Sequence, residues 1–402
     1  MGHALIQRTT NVENTKHKRK SRLTSINVLL RGQSNMIFLA EGNGYLASNN
    51  IVSEVQWLLG FDGVNDKVEL QYERFDPSAA TVTGGTPFLG PWVQPIAGDW
   101  HNGWQNAFYE NSILNFINTK MTAAERADPT AVVWLHSEGD STRSDLTARE
   151  WVSGVAFDAA QIRAALGQSA ATVPYLFVDA HPYWGTASGH QAIRQGMEYL
   201  ARDPNFNADI AARALDVNAD RDDFDGNPTT REYGGPHLSD SDTLILSHRI
   251  ALTIAEEFAA YAKPGSVVAL GGGNIDDHGP QVINAVQTGA SQLVLTVGLD
   301  QATNLLPLDP DAARGLGFSV HIGEVSVDAV STQLLDANHL LVDFAGAIPP
   351  FSALFYGHGS GRLGGESGGG QGNAIYDNQG MPLWVSASGL GIGPGIVDAP
   401  LL

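Results

Sequence analysis

Apolar and polar positions along the chain change rhythm near residue 263. Before it, short apolar runs alternate with stretches of helical spacing. Ile26 to Leu30 reads as an apolar strand that stops at Gly32, with a helical run from Met36 to Ala40 directly after it. A Gly/Asn/Ser loop (Gly42 to Asn50) leads to a helix over Ile51 to Leu59, and Lys67 to Tyr72 alternates at period two as a strand does. Pro77 to Asp99 is loop by composition, and Trp104 to Asn118 has helical spacing with Gly103 before it. Ala131 to Leu135 and Val173 to Asp179 are buried-strand patterns. Helices are expected over Asp145 to Leu166, Ser188 to Arg202 and Asp242 to Tyr261. Strands alternating with helices in this way predict an α/β unit with a parallel sheet covered on both faces.

After Lys263-Pro264-Gly265 the pattern offers almost no helix beyond a short stretch from Pro280 to Thr288. Short apolar or alternating runs replace it: Val267 to Leu270, Gln292 to Leu299, Phe318 to Val325, Leu340 to Phe344, Ala353 to Tyr356, Ala374 to Tyr376 and Leu383 to Val385. Their spacing predicts an all-β sandwich. The expected organisation is a basic flexible tail (1–24), an α/β domain (25–263) and a β-sandwich domain (264–402).

Composition narrows the function classes. The chain has 402 residues, 43% of them hydrophobic and 16% charged, which describes a globular protein with room for two cores. A formal charge of −20 argues against nucleic acid and anionic membrane surfaces as partners. With no cysteine there is no disulfide, thiolate nucleophile or thiolate metal site. No run approaches a membrane span, and Lys16 to Arg22 lacks the apolar segment of an export signal, so a cytoplasmic location is the default expectation.

Ser34 is the first chemical candidate, because a serine at a strand-to-helix turn is exposed and flanked by free backbone N–H groups. A plain turn with serine as helix N-cap is the competing reading. In open parallel sheets, chemistry gathers past the carboxyl ends of the strands, where Ser34, His136, Glu138 and His181 all fall. His237, in a Gly/Pro-defined loop before a long helix, is a base candidate or a loop histidine.

Three blocks together resemble the SGNH hydrolases, and more closely their sialate O-acetylesterase and carbohydrate esterase family-six branch. Gly32-Gln33-Ser34-Asn35-Met36 matches that branch's nucleophile block residue for residue. Trp134 to Asp140 follows the spacing of its Trp-x-Gln-Gly-Glu-Ser-Asp block, with His136 in the Gln position and Ser137 in the Gly position. His237-Leu238-Ser239 matches its final block. The resemblance covers about Ser25 to Lys263 and implies a flavodoxin-like three-layer SGNH domain with Ser34 as nucleophile and His237 as general base. The acid often found three residues before the histidine is replaced by Gly234, so Glu138 is expected in that role, with Glu232, Asp240 and the Asp222–Asp225 cluster as rivals. The implied oxyanion donors are the Ser34 N–H, the Gly103 N–H (Gly90 being the alternative) and a His136 ring N–H.

The reading that follows is a metal-independent and cofactor-independent esterase acting on an acylated carbohydrate such as an exopolysaccharide. Its β domain is expected to position the glycan or a homo-oligomer partner. A catalytically impaired carbohydrate-binding module and an acyltransferase using the same residues are the alternatives. The Asp220 to Gly226 loop departs from EF-hand spacing and reads as solvated, and Gly271-Gly272-Gly273 lacks the context of a dinucleotide site. Trp92, Trp100, Trp104 and Trp184 either line a cleft mouth or pack.

Overall fold

The computed structural model describes residues 24–41, 49–180, 185–217, 237–359, 363 and 374–393. The basic tail, His181, Trp184, Asp220–Gly226, Glu232, Gly234 and most of the Gly361–Gly372 stretch lie outside the described residues. Among the described residues no helix is long and apolar enough to cross a membrane.

The first unit runs β1 (Thr24–Gly32), α1 (Ser34–Glu41), α2 (Asn50–Leu59), β2 (Asp66–Gln71), β3 (Val93–Pro95), β4 (Trp104–Asn106), α3 (Phe108–Thr119), α4 (Ala123–Ala127), β5 (Thr130–Leu135), α5 (Glu138–Ser141), α6 (Ala148–Leu166), β6 (Tyr175–Val178), α7 (Ala187–Arg202), β7 (Ala208–Ala212) and α8 (Asp240–Glu257). Five strands form one parallel sheet in the order β2-β1-β5-β6-β7. The period-two pattern of the strands sorts their side chains to two faces. Ile26, Val28 and Leu30 of β1 join Val133 of β5 and the apolar stripes of α1, α2 and α8 in one core. Leu29, Val132, Trp134, Tyr175 and Phe177 join α3, α6 and α7 in the other. The result is a three-layer αβα unit.

One expected helix is shorter than its pattern implied. Trp104 to Asn106 is a strand paired with β3, and the helix begins only at Phe108.

The connecting segment holds α9 (Val267–Leu270), where the sequence predicts a strand. Four apolar residues suit either state, and the Ser266 side chain accepting the Ala269 N–H decides for the helix. Val268 and Ile275 pack into the core behind α1, α2 and α8, so this segment adheres to the first unit.

The second unit comprises β8 (Gln281–Gly289), β9 (Gln292–Gly298), α10 (Pro310–Ala313), β10 (Phe318–Ile322), β11 (Val325–Leu334), β12 (His339–Phe344), β13 (Ala353–Tyr356) and β14 (Leu390–Gly391). The stretch from Pro280 to Thr288, expected as helix, is mostly β8. In place of two facing sheets there is one seven-stranded sheet, ordered β14-β13-β10-β11-β12-β9-β8. Bulges at Val282/Asn284 and Ala329/Ser331 bend it. Its two edges approach closely enough for the Gly393 N–H to donate to the Ala285 carbonyl at 3.0 Å. The β unit is therefore a near-barrel around its own core, which includes Leu295, Val320, Leu340 and Leu354.

Candidate active site

The sheet order dictates where a ligand can enter. From β1 the chain first adds β2 on one side and later β5 on the other. The connections after β1 and β5 therefore diverge to opposite faces, which makes the carboxyl ends of these two strands the switch point at which ligands of such sheets bind. Ser34 follows β1 and Glu138 follows β5.

The turn that presents Ser34 depends on Gly32. A Cβ there would collide with the Leu135 carbonyl oxygen, so only glycine lets β1 end against the end of β5. The Gln33 N–H donates to that same carbonyl at 3.3 Å, and α1 starts at once with Ser34, which is half-buried. The first N–H groups of a helix lack intrahelical acceptors, which leaves donors beside the Ser34 hydroxyl.

Asn35 is buried and joins three chain segments. Its Nδ2 donates to Glu138 Oε1 at 2.6 Å, and its Oδ1 accepts the Leu238 N–H at 3.0 Å. Glu138 is 1% exposed, and its Oε2 accepts the Ser137 N–H at 3.1 Å. His237, next to Leu238, turns its half-buried ring edge-on to Phe38 with centroids 5.0 Å apart. Phe38 lies one helical turn after Ser34 on the same side of α1. The structure thus gathers the segments of Ser34, Glu138 and His237 around the first turn of α1. Asn35 was visible only as a letter of the nucleophile block, because a partner 203 residues away leaves no local signal.

Two expected oxyanion donors are already engaged. His136 is fully buried, with Nδ1 3.0 Å from Arg31 Nη1 and Nε2 2.7 Å from the Thr86 carbonyl. A guanidinium only donates, so Nδ1 accepts and the single ring proton sits on Nε2, donated to Thr86. Burial, then the Arg31 charge, hold the His136 pKa well below its ordinary value. The ring is a neutral structural link with no N–H left for a substrate. Gly103 precedes β4 rather than a helix, and its N–H donates to the Trp100 carbonyl at 3.0 Å. The alternative, Gly90, donates to the Val93 carbonyl at 2.8 Å.

A different loop reaches the turn. Val82 forms a parallel bridge with Gly32, and the Thr83 N–H donates to the Gly32 carbonyl at 3.2 Å. Gly84 and Gly85 follow, with open space where a side chain would stand. The loop is then clamped by Asp140, whose carboxyl accepts the Phe88 and Leu89 N–H groups at 2.9 and 3.1 Å. Burial pushes that carboxyl up to about 7 despite these two donors.

Other expectations separate. Trp92 and Trp104 are core residues, and Trp104 donates to the Ser153 hydroxyl. Trp100 stacks on His101 at 3.9 Å and lines a groove of about 540 Å³ together with Arg143 and Arg149. The rival acid Asp240 is exposed at the start of α8. No described residue near the turn carries a metal-ligand constellation; the one His/Asp/Glu group close enough for an ion, Asp209, Asp277 and His278, lies elsewhere.

No protein-family model and no curated protein matches the chain. Among solved structures it superposes on XAC1771, described as a carbohydrate acetylesterase from Xanthomonas citri, with a TM-score of 0.55 and 16% identity over 89% of this chain and 79% of that one. An S-layer protein, rSbsC(31-844), and an endo-β-1,4-mannanase from Thermotoga petrophila overlap at TM-scores of only 0.20 and 0.19, too low to indicate a shared fold. The protein is similar in fold to XAC1771, with an α/β unit followed by a β unit.

Proposed function

We propose that the chain is a serine-dependent esterase that removes acyl groups, acetyl foremost, from a carbohydrate. The observation that carries this reading is Asn35, which ties Glu138 and the His237-Leu238 segment to the helix that begins at Ser34. A merely structural turn has no need to converge an acid and a histidine segment on a half-exposed serine. The fold shared with a carbohydrate acetylesterase supports the substrate class.

In this account the Ser34 hydroxyl attacks the ester carbonyl while His237 takes its proton. The tetrahedral oxyanion collapses, the C–O bond to the sugar breaks, and His237 returns the proton to the departing sugar oxygen. Water, deprotonated by His237, then releases the acid and regenerates Ser34. Glu138 is the acid of the set, and its hold on His237 runs through Asn35 and the Leu238 N–H. The oxyanion donors are the Ser34 N–H and the backbone of Gly84-Gly85, which replaces Gly103 and His136 in that role. Trp100 offers an aromatic face for a sugar, and the β unit positions the polysaccharide or a second copy of the chain.

Acetate release from an acetylated polysaccharide tests the proposal. Wild type should release acetate, and Ser34→Ala and His237→Ala should each abolish it with folding intact. Equal rates in all three proteins would remove the hydrolase reading.

A further inference from the structure

The groove that holds Trp100 is bounded by two stretches of chain. One wall is the tip of the β3–β4 hairpin, from Pro95 to His101, and the other runs from Arg143 to Glu150 in the first turn of α6. Both walls continue segments that flank Ser34. The loop whose Thr83 N–H holds the Gly32 carbonyl passes Gly139, where a Cβ would strike Pro87, and then enters β3 and the hairpin tip. The segment that begins α5 at Glu138 reaches Arg143 five residues later, across no more than about 18 Å of chain.

Each wall is fixed by its own contacts. Ala97 takes a φ of 53°, a left-handed conformation that is costly for any residue with a side chain, and Gly98 follows at 78°. Asp99 Oδ1 accepts the His101 N–H at 3.0 Å and lies 2.7 Å from the His101 ring Nδ1. Trp100, half-buried, rests against the core of the α3/α6 face. On the other wall, Arg143 donates to Asp145 at 3.1 and 3.3 Å and to Glu150 at 2.8 and 3.2 Å. The Thr147 hydroxyl accepts the Glu150 N–H at 3.1 Å, which ties this cluster to the start of α6. A site held in this way costs little ordering when a ligand binds.

The lining has the chemistry of a sugar site. A pyranose ring presents apolar C–H faces and a rim of hydroxyls. Trp100 offers the flat apolar surface, and the carboxylates and guanidinium groups offer acceptors and donors for the rim. Arg143 and Arg149 are offset by Asp99, Asp145 and Glu150. No single sign of charge prevails that would select a uronate or an amino sugar.

We propose that this groove binds a neutral sugar ring of an oligosaccharide whose acylated residue sits at Ser34, so that the protein selects esters on sugar chains over small acyl esters. The inference rests on the esterase reading for the ester, while binding of sugar by the groove is separable from catalysis.

Kinetics on p-nitrophenyl acetate and on acetylated oligosaccharides of glucose, mannose and xylose read the selectivity. Calorimetry of Ser34→Ala with the same oligosaccharides, deacetylated, reads binding alone. Wild type should favour at least one acetylated oligosaccharide over p-nitrophenyl acetate by kcat/KM. Trp100→Ala should raise KM for that oligosaccharide about tenfold with kcat changed less than about twofold, so that the preference falls about tenfold. Added to Ser34→Ala, the same substitution should weaken sugar binding about tenfold. His101→Ala, at an exposed position, should move both readouts the same way by a smaller factor, and it replaces Trp100→Ala if that variant does not fold. A preference absent from wild type or unchanged in the variants would overturn the proposal, as would failure of Ser34→Ala to bind any of the oligosaccharides at millimolar concentration. Sugar bound by Ser34→Ala and lost on adding Trp100→Ala, with no ester cleaved by wild type, would instead remove the esterase reading and leave the sugar site standing.

Discussion

The ends of β1 and β5 feed two polar networks on opposite faces of the same sheet, and the networks behave differently. On the α3/α6 face, Arg31 is fully buried beneath Phe88, Trp92 and Trp134. It donates to Asp158 at 2.5 and 2.7 Å, to Glu110 at 3.3 Å and to His136, while Tyr175 completes Asp158 from the other side. On the other face, Asn35, Glu138 and the His237 segment surround a serine that is only half-buried. The first network is sealed and holds the strands in register. The second reaches the surface at the partly exposed Ser34 and His237. Charge alone does not mark a functional site: the sealed network has more of it, and access distinguishes the two.

The comparison breaks most sharply at Ser34. Ser34→Ala should lower kcat for an acetyl ester by about 10⁴-fold or more while leaving urea stability unchanged within about 0.5 kcal/mol. A loss of stability with unchanged turnover would exchange the roles assigned to the two faces.

Arg31→Met should do the reverse. It strands Asp158 and Glu110 in a dry core, and breaking such a buried set costs about 3–5 kcal/mol, measurable by urea denaturation. Burial, then the neighbouring Asp158 charge, already hold Glu110 well above the ordinary carboxyl range, so Arg31→Met should leave it protonated.

Asn35→Ala should fall between these. The Glu138 and Leu238 links are lost, and kcat should drop about a hundredfold with KM little changed, because the variant misplaces the reacting groups rather than removing one. Steady-state kinetics separates the two parameters.

The smallest effect concerns His136 and acid. Its folded pKa is lowered, so the unfolded chain takes up the proton first. The neutral ring's contribution is complete above the ordinary value of 6.5 and declines as pH falls below it, by up to about 1.4 kcal/mol per pH unit. His136→Gln keeps an acceptor for Arg31 and a donor for Thr86 but cannot titrate. The variant should fold at pH 7 and lose less stability than wild type between pH 6.5 and 5, as thermal unfolding at several pH values would show.

Much of the first unit was legible because its signals are local. The strand from Ile26 to Leu30, the stop at Gly32 and the helix Ala148–Leu166, expected from Asp145, follow from periodicity, although Thr147 rather than Asp145 caps that helix. The errors share a physical cause. The β8 stretch looks helical because bulges break its period of two and leave buried Val282 and Ala285 three residues apart. Closure of the β unit depends on those same bulges and on edge pairing, which strand spacing does not record. His136 was misplaced because its partners, Arg31 and Thr86, lie 105 and 50 residues away. Asn35 lacked a role for the same reason. Candidate chemistry at strand ends could be read from the chain, while the face of the sheet each residue serves emerged only from contacts distant in sequence.

The account's central claim is that the open network activates Ser34. The most direct measurement is the mass of the protein after exposure to a fluorophosphonate, with the adduct located by peptide mapping. One adduct on Ser34, absent from Ser34→Ala and formed much more slowly in His237→Ala, is the predicted result. No adduct on a folded, wild-type chain, or an adduct at another serine, would contradict it.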